Sequence, residues 1–188
     1  MDDIAKLLDP WNSFYVMIGS AAAALTGLMF VVISLARDAE RRASRGGVSV
    51  FSSPTVVHFS SALFIAALMV APFRSSLRPI AFVLGFAGLF GLYYVVRVAR
   101  QARQLDSYRP DLEDWVWHVG LTFVAYATLL AGALLLNVAP RSALFAPAAA
   151  AALLIFIGIH NAWDVVTFLA TGGADEIDAA AGDAKRDD

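Results

Sequence analysis

The chain has 188 residues, 59% of them apolar and 16% charged, and its formal net charge is −2. A globular protein is about 45–50% apolar, so this composition indicates a membrane protein and not a soluble protein with a large core. The absence of cysteine excludes disulfides, thiolate catalysis and cysteine-ligated zinc or iron–sulfur centres. The first ten residues are acidic and no basic region precedes the first apolar run, so no cleavable signal is expected.

Five apolar segments follow one another along the chain. A helix rises about 1.5 Å per residue, and about 20 residues therefore cross a hydrocarbon core of about 30 Å. Alternation typical of strands is absent, and an open sheet leaves its backbone unsatisfied in lipid. The sequence therefore predicts an all-α, polytopic bundle of five transmembrane helices, with spans at about 11–36, 55–73, 79–96, 115–139 and 143–171.

Local signals refine the ends of these spans. Pro54, preceded by a serine, is typical of a helix start, with the serine as N-cap and the proline in the first turn. The fifth helix is expected to stop at Gly172 and Gly173, because glycine readily ends a helix. We expect residues 1–171 to form a single transmembrane domain. Residues 172–188 are small and acidic and are predicted to be a disordered cytoplasmic tail.

The distribution of basic residues predicts the orientation. One set of intervals and the tail hold Arg37, Arg41, Arg42, Arg45, Arg97, Arg100, Arg103, Arg109, Lys185 and Arg186, whereas the other side holds only Lys6, Arg74, Arg78 and Arg141. Cytoplasmic segments carry the excess of lysine and arginine. We therefore expect a multi-pass protein of the bacterial inner membrane, with its N-terminus outside and its C-terminus in the cytoplasm.

The arginine-rich intervals also indicate partners. Basic residues near an anionic membrane surface each contribute about 1 kcal/mol to binding, so anionic lipid is expected at the cytoplasmic arginines. No aromatic or binding-module pattern accompanies these residues, and nucleic acid is not an expected partner.

Small residues at helical spacing predict close packing between helices. Lipid gives no hydrophobic drive for helix association, so small side chains that let backbones approach are common at helix contacts. The candidates are Gly19, Ala23 and Gly27 in the first span and Gly85, Gly88 and Gly91 in the third. They predict packing within the protomer or between protomers, and hence a homo-oligomer or a complex with other membrane proteins.

Polar side chains gather in the half of the spans that is predicted to face the cytoplasm. In the fifth span His160, Asp164 and Thr167 share one helix face, and Asn161 lies near its edge. The other members of this polar cluster are His118, Thr122 and Tyr126 in the fourth span, His58 and Ser61 in the second, and Arg97 at the end of the third.

Asp164 is the costliest member of the cluster. A charge at the bilayer centre costs about 2.5–3.5 kcal/mol on insertion scales. We therefore expect Asp164 to face protein or water and to pair with a neighbouring cation or imidazole. The candidates are His160 on the same helix, Arg97, His118 and His58.

Three interpretations of the polar cluster stay open at this point. The first is a structural hydrogen-bond cluster that joins the second, fourth and fifth helices. The second is a proton or ion path, because titratable groups within a membrane often mark one. The third is a metal or haem site with His58, His118 and His160 as ligands. No tight ligand motif accompanies these histidines, and no cofactor is predicted.

The usual enzyme signatures are missing from the sequence. The chain has no histidine–glutamate metalloprotease motif, no nucleophile elbow, no phosphate loop and no dinucleotide fingerprint. A non-enzymatic role is therefore expected, and no catalytic residue is proposed.

The first span carries a resemblance to a known group of proteins. Its residues Trp11, Phe14, Ala22–Ala24 and the run from Leu25 to Val31, "LTGLMFV", form an aromatic-led Trp-x-x-Phe segment followed by Ala-Leu-Thr-Gly-Leu-x-Phe-Val. This pattern resembles small bacterial multi-spanning membrane proteins of uncharacterised function, over about 26 residues. Some of those proteins are labelled modulators of a membrane-bound ATP-dependent protease. The resemblance implies a regulatory or interaction role and brings no active residues with it.

Together these observations predict a non-enzymatic membrane subunit or modulator that acts through helix packing and basic cytoplasmic loops. The alternative is a small proton or cation channel or transporter that uses His160 and Asp164. A haem- or metal-binding membrane subunit is a further alternative.

Overall fold

The computed structural model describes residues 2–43, 49–72, 76–102 and 115–184. No strand occurs in these ranges, which confirms the all-helical class. The elements in chain order are α1 (Asp2–Leu8), a 3-10 turn (Asp9–Trp11), α2 (Asn12–Ala43), α3 (Ser49–Val70), α4 (Arg78–Ala102), a π-helical segment (Trp115–Leu121), α5 (Thr122–Leu135), α6 (Pro140–Ala143) and α7 (Phe145–Ala184).

Four of the described stretches are long and apolar enough to cross a membrane. They are Asp3–Ser34, Arg78–Arg100, Trp115–Leu135 and Pro140–Asp164, of 32, 23, 21 and 25 residues. The apolar part of α3, Thr55–Val70, is shorter. Several membrane-capable helices thus form one bundle, whereas the crossing of a fifth helix stays a prediction.

Two helix ends differ from the sequence-based expectation. α3 begins at Ser49, so Pro54 lies within the helix and not in its first turn. A proline past the first turn removes one backbone hydrogen bond and crowds the preceding turn, and α3 nevertheless continues to Val70. α7 continues through Gly172 and Gly173 to Ala184, where we expected the helix to stop. Each glycine costs a helix only about 1 kcal/mol relative to alanine, and alanine-rich sequence follows.

Consecutive long helices run in opposite directions. Gly19, near the start of α2, lies against Ala66, near the end of α3. α4 and α5 are antiparallel as well, because Gly85 faces Ala133 and Gly91 faces Tyr126.

α2 and α7 begin at the same end of the bundle. The ring centroids of Trp11 and Phe145 are 4.8 Å apart there, and Gly132 of α5 meets Ala146 near the start of α7. We call this the Trp11 end. The opposite end, at which α3 begins and His160 lies, is the His160 end.

The helices form a chain of contacts in space that differs from their order in sequence. α2 packs on α3, α3 on α7, α7 on α5, and α5 on α4. α7 is therefore central, and α2 and α4 lie at the two edges. α3 and α4 are neighbours in sequence, yet they barely touch, and an open groove lies between them.

Glycines permit the closest of these contacts. A Cβ on Gly88 would lie 3.0 Å from the backbone nitrogen of Leu130, and one on Gly132 would lie 2.5 Å from the Cβ of Ala146. On Gly91 a Cβ would overlap the ring of Tyr126, and on Gly158 it would overlap the ring of Phe59. These glycines set the distances of α4 from α5 and of α7 from α5 and α3.

The small residues of α2 are used differently. Gly19 packs on Ala66, where an added Cβ would lie 3.2 Å from that of the alanine. Ala23 is exposed, and Gly27 has no described atom within 4 Å of the position that its Cβ would take. Only the first member of this predicted stripe therefore takes part in packing within the described protomer.

Candidate functional site

Apart from tyrosines, the buried polar side chains of the described residues lie at the His160 end. They are Thr55 and His58 on α3, Thr122 on α5 and Asn161 on α7. Buried polar groups normally have hydrogen-bond partners, and those that do not require a specific explanation. This end of the bundle is therefore the candidate functional site.

The α3–α7 interface places three of these side chains close together. Phe59 of α3 packs on Gly158 of α7, and the two helices run in opposite directions. Moving one turn from this contact toward the His160 end leads to Thr55 on α3 and to Asn161 on α7. His58 adjoins Phe59, so all three polar side chains lie within about one helical turn of each other.

These three side chains have no described hydrogen-bond partner. The atoms concerned are Thr55 Oγ1, His58 Nδ1 and Nε2, and Asn161 Oδ1 and Nδ2. The exposed fraction is 0% for Thr55, 1% for His58 and 2% for Asn161. Five of the six unpartnered buried polar atoms in the described ranges thus belong to one interface, and the sixth is the Tyr15 hydroxyl at the other end.

Such a cluster is energetically unfavourable. An unsatisfied buried donor or acceptor costs about 1–3 kcal/mol. A neutral imidazole offers one donor and one acceptor, and an amide offers two donors and an acceptor. The cluster therefore leaves hydrogen-bonding capacity unused between α3 and α7. We name Thr55, His58 and Asn161 the orphan polar cluster.

A π-helical segment, Trp115–Leu121, precedes α5 at this end of the bundle. The Thr122 hydroxyl donates a hydrogen bond of 3.3 Å to the carbonyl oxygen of Trp117, five residues earlier. His118 of the segment lies within electrostatic range of His58. π-helical turns are rare and often occur at functional sites, and this one directs consecutive side chains toward both α3 and α7.

His160 and Asp164 lie beside the orphan polar cluster, nearer the surface. His160 Nε2 is 3.4 Å from Asp164 Oδ2, and the two side chains are 26% and 51% exposed. The His160 ring also stacks on Trp117, with centroids 3.9 Å apart and planes inclined by 19°. The expected partner of Asp164 is therefore present, but the carboxylate lies on the bundle surface. The interior position on α7 belongs to Asn161.

The remaining predicted members lie further away. The Thr167 hydroxyl donates hydrogen bonds to the carbonyl oxygens of Trp163 and Asp164, each 3.0 Å long. Ser61 and Tyr126 share a hydrogen bond of 2.9 Å between their hydroxyl oxygens, which joins α3 to α5. Arg97 is exposed on α4. These residues do not contribute to the orphan polar cluster.

These contacts bear on the three interpretations of the predicted cluster. Ser61 and Tyr126 form a structural link between helices, as the first interpretation requires, whereas His58 and Asn161 do not. For the third, no group of three or more histidine, aspartate or glutamate side chains in the described ranges is placed to hold a metal ion. His58 is enclosed between helices, whereas His160 stacks on Trp117.

Two members of the site were not singled out from the sequence. Thr55 lies three residues before His58, and this spacing puts both on one helix face. Trp117 contacts His160 only because the π-helical segment turns it toward α7. The position of Thr55 beside His58 could be predicted from helical periodicity, whereas the contact of Trp117 with His160 depends on a change of helical pitch.

Comparison with known protein families, with curated proteins and with solved structures gives no match for this chain. The resemblance of the first span to small multi-spanning proteins therefore stays a prediction.

Replacing Asn161 tests whether the orphan polar cluster is a stabilising network. We expect Asn161→Val to raise the free energy of unfolding by about 1 kcal/mol, because it removes buried polar atoms that have no partner. Thermal or chemical unfolding in detergent measures this change. Asn137→Val, in the exposed turn after α5, is the control and should shift stability by less than about 0.5 kcal/mol. A clear loss of stability in Asn161→Val would show that the amide supports the fold.

Proposed function

We propose that this chain is an integral protein of the bacterial inner membrane that crosses the bilayer five times. Its five long helices alternate in direction, and four of them are long and apolar enough to span. α3 packs between α2 and α7, and this position supports a fifth crossing. The excess of arginine toward the ends of α2 and α4 and in the intervals that follow them supports a cytoplasmic location for the His160 end.

Single cysteines test this topology in a chain that has none of its own. In the proposed arrangement three crossings separate the interval after α2 from the turn before α7. A membrane-impermeant maleimide should therefore label Ser142→Cys in intact spheroplasts and label Ser44→Cys only after permeabilisation. Labelling of both from the same side would leave α3 out of the membrane. Labelling with the sides exchanged would contradict the orientation.

Within the membrane, we propose a non-enzymatic role as a subunit or modulator that acts on another membrane protein. The observation that carries this proposal is the outer face of α2. A Cβ on Gly27 would meet no described atom within 4 Å outside the backbone of its own helix, although a glycine inside a helix costs about 1 kcal/mol relative to alanine. Close approach of a helix from a partner protein would explain a glycine at this position, because the contacts within the described protomer do not require one.

Enlarging Gly27 tests the subunit or modulator role. Gly27→Ile should fold normally, because the added atoms meet no described neighbour, and should lose most of the partner recovered by crosslinking in native membranes. Mass spectrometry of the copurified proteins measures that recovery. Ala131→Ile, at an exposed position of α5, is the control and should retain the partner. Recovery of the chain alone from wild-type membranes, or unchanged recovery in Gly27→Ile, would remove the basis of the proposal.

A proton- or cation-conducting unit is the second candidate, and the contact between His160 and Asp164 favours it. His58 and His118 lie within electrostatic range of each other at the same end of the bundle, so protonatable groups occur there both at the surface and in the interior. Between this site and the Trp11 end the largest buried side chains are mainly hydrocarbon, among them Ile65, Leu129 and Leu154. Conduction would therefore follow the half-exposed His160–Asp164 face between protomers and not the axis of one protomer.

Flux in liposomes tests this second candidate. If the protein conducts, Asp164→Asn should remove most of the proton or cation flux, because the amide cannot hold the charge that stabilises a passing cation. Asp9→Asn, an exposed carboxylate at the other end, makes the same chemical change and should leave the flux unaltered. An absence of flux in the wild type would retire this candidate.

A further inference from the structure

The groove between α3 and α4 is a distinct feature of the membrane-facing surface. Its cavity volume is about 360 Å³. Phe64 of α3 and Phe86 and Phe90 of α4 form its walls, and Tyr126 and Leu129 of α5 form its floor. The walls are 48–67% exposed, so the groove opens sideways, toward the surrounding lipid.

The groove has the length of one leaflet. Along α3 it extends over ten residues, from Val56 to Ile65, and the nine steps between them span about 14 Å of helix. Half of a hydrocarbon core of about 30 Å is about 15 Å. Leu77 and Ile80 are buried next to the short connection between α3 and α4, whereas the groove residues lie toward the His160 end. The groove therefore matches the depth of the leaflet on the His160 side.

A positive charge lies at the His160 end of the groove. Tyr94 is the last groove residue of α4, and Arg97 follows it by one turn. The Arg97 guanidinium lies within electrostatic range of the Tyr94 hydroxyl. Ser60, on the opposite wall, lies within the groove, between its ends at Val56 and Ile65. An apolar slot one leaflet long thus ends at a cation and the Tyr94 hydroxyl.

We propose that this groove binds an anionic phospholipid. One acyl chain lies in the slot between the phenylalanines, and the phosphate accepts hydrogen bonds from Arg97 and from the Tyr94 hydroxyl. A lipid fits better than a helix from another chain, because the slot is deep, only one leaflet long, and has its charge at the level of a headgroup. The proposal depends on the membrane location proposed above, and its failure would leave the cysteine-labelling result for that location unchanged.

Native mass spectrometry of the full chain tests this site. The protein is released from mixed micelles that contain equal amounts of phosphatidylglycerol and phosphatidylcholine with identical acyl chains. We expect one retained lipid, with phosphatidylglycerol preferred about fivefold, the factor that corresponds to one basic residue near an anionic headgroup. Arg97→Gln should abolish the preference. Arg141→Gln, which removes an exposed arginine at the other end, should keep it.

Filling the slot tests its apolar part separately. Ala87→Phe and Ser60→Phe enlarge residues on opposite walls, and each should remove the retained lipid whatever its headgroup. The second variant guards against misfolding of the first. Equal retention of both lipids by the wild type would overturn the headgroup contact. Unchanged lipid retention in both slot-filling variants would overturn the site. A wild-type dimer that these variants dissociate would also overturn it, because a second copy of the chain would then occupy the groove.

Discussion

Close backbone contact at glycine is the constraint on which the rest of this bundle depends. In lipid, apolar side chains gain little by leaving their surroundings, so helices are held by van der Waals packing over short distances. Gly88 brings α4 onto the backbone of Leu130, and Gly132 brings α5 onto Ala146. The same close fit at these positions fixes the order of helices in space, with α7 at the centre.

The site follows from one of these contacts. Phe59 fits against α7 only where Gly158 leaves room for its ring, and this contact sets the register between α3 and α7. That register brings the orphan polar cluster into one turn of the interface, although none of its polar side-chain atoms gains a hydrogen bond. The bundle therefore accepts a local cost at the His160 end, where His118, His160 and Asp164 also gather. Its opposite half is built mainly from hydrocarbon side chains.

Much of the architecture was predictable from the sequence, because apolar length and residue spacing are local properties. The helical class follows from composition, as do the four stretches that are long and apolar enough to span a membrane. The contact of His160 with Asp164 follows from their i, i+4 spacing, and the link between Ser61 and Tyr126 was anticipated as part of a polar cluster. The π-helical turn was not predictable, since it depends on how Trp117 and His118 pack on two other helices. The buried position of Asn161 was missed because lipid-facing and protein-facing sides look alike in an apolar helix.

The sequence by itself determined three properties: the apolar environment that the chain requires, the helical form of its segments and the uneven distribution of its arginines. Each of these depends on residue type and local order. Only the tertiary structure decided that α3 lies against α7 and apart from α4. As a consequence, a groove opens on one side of α3, and unpartnered polar atoms are enclosed on its other side. The physical reason is that lipid removes the hydrophobic difference between the faces of a helix. Which helix packs against which then depends on the fit of single glycines against aromatic rings and small side chains. The pattern of apolar residues in the sequence does not reveal this fit.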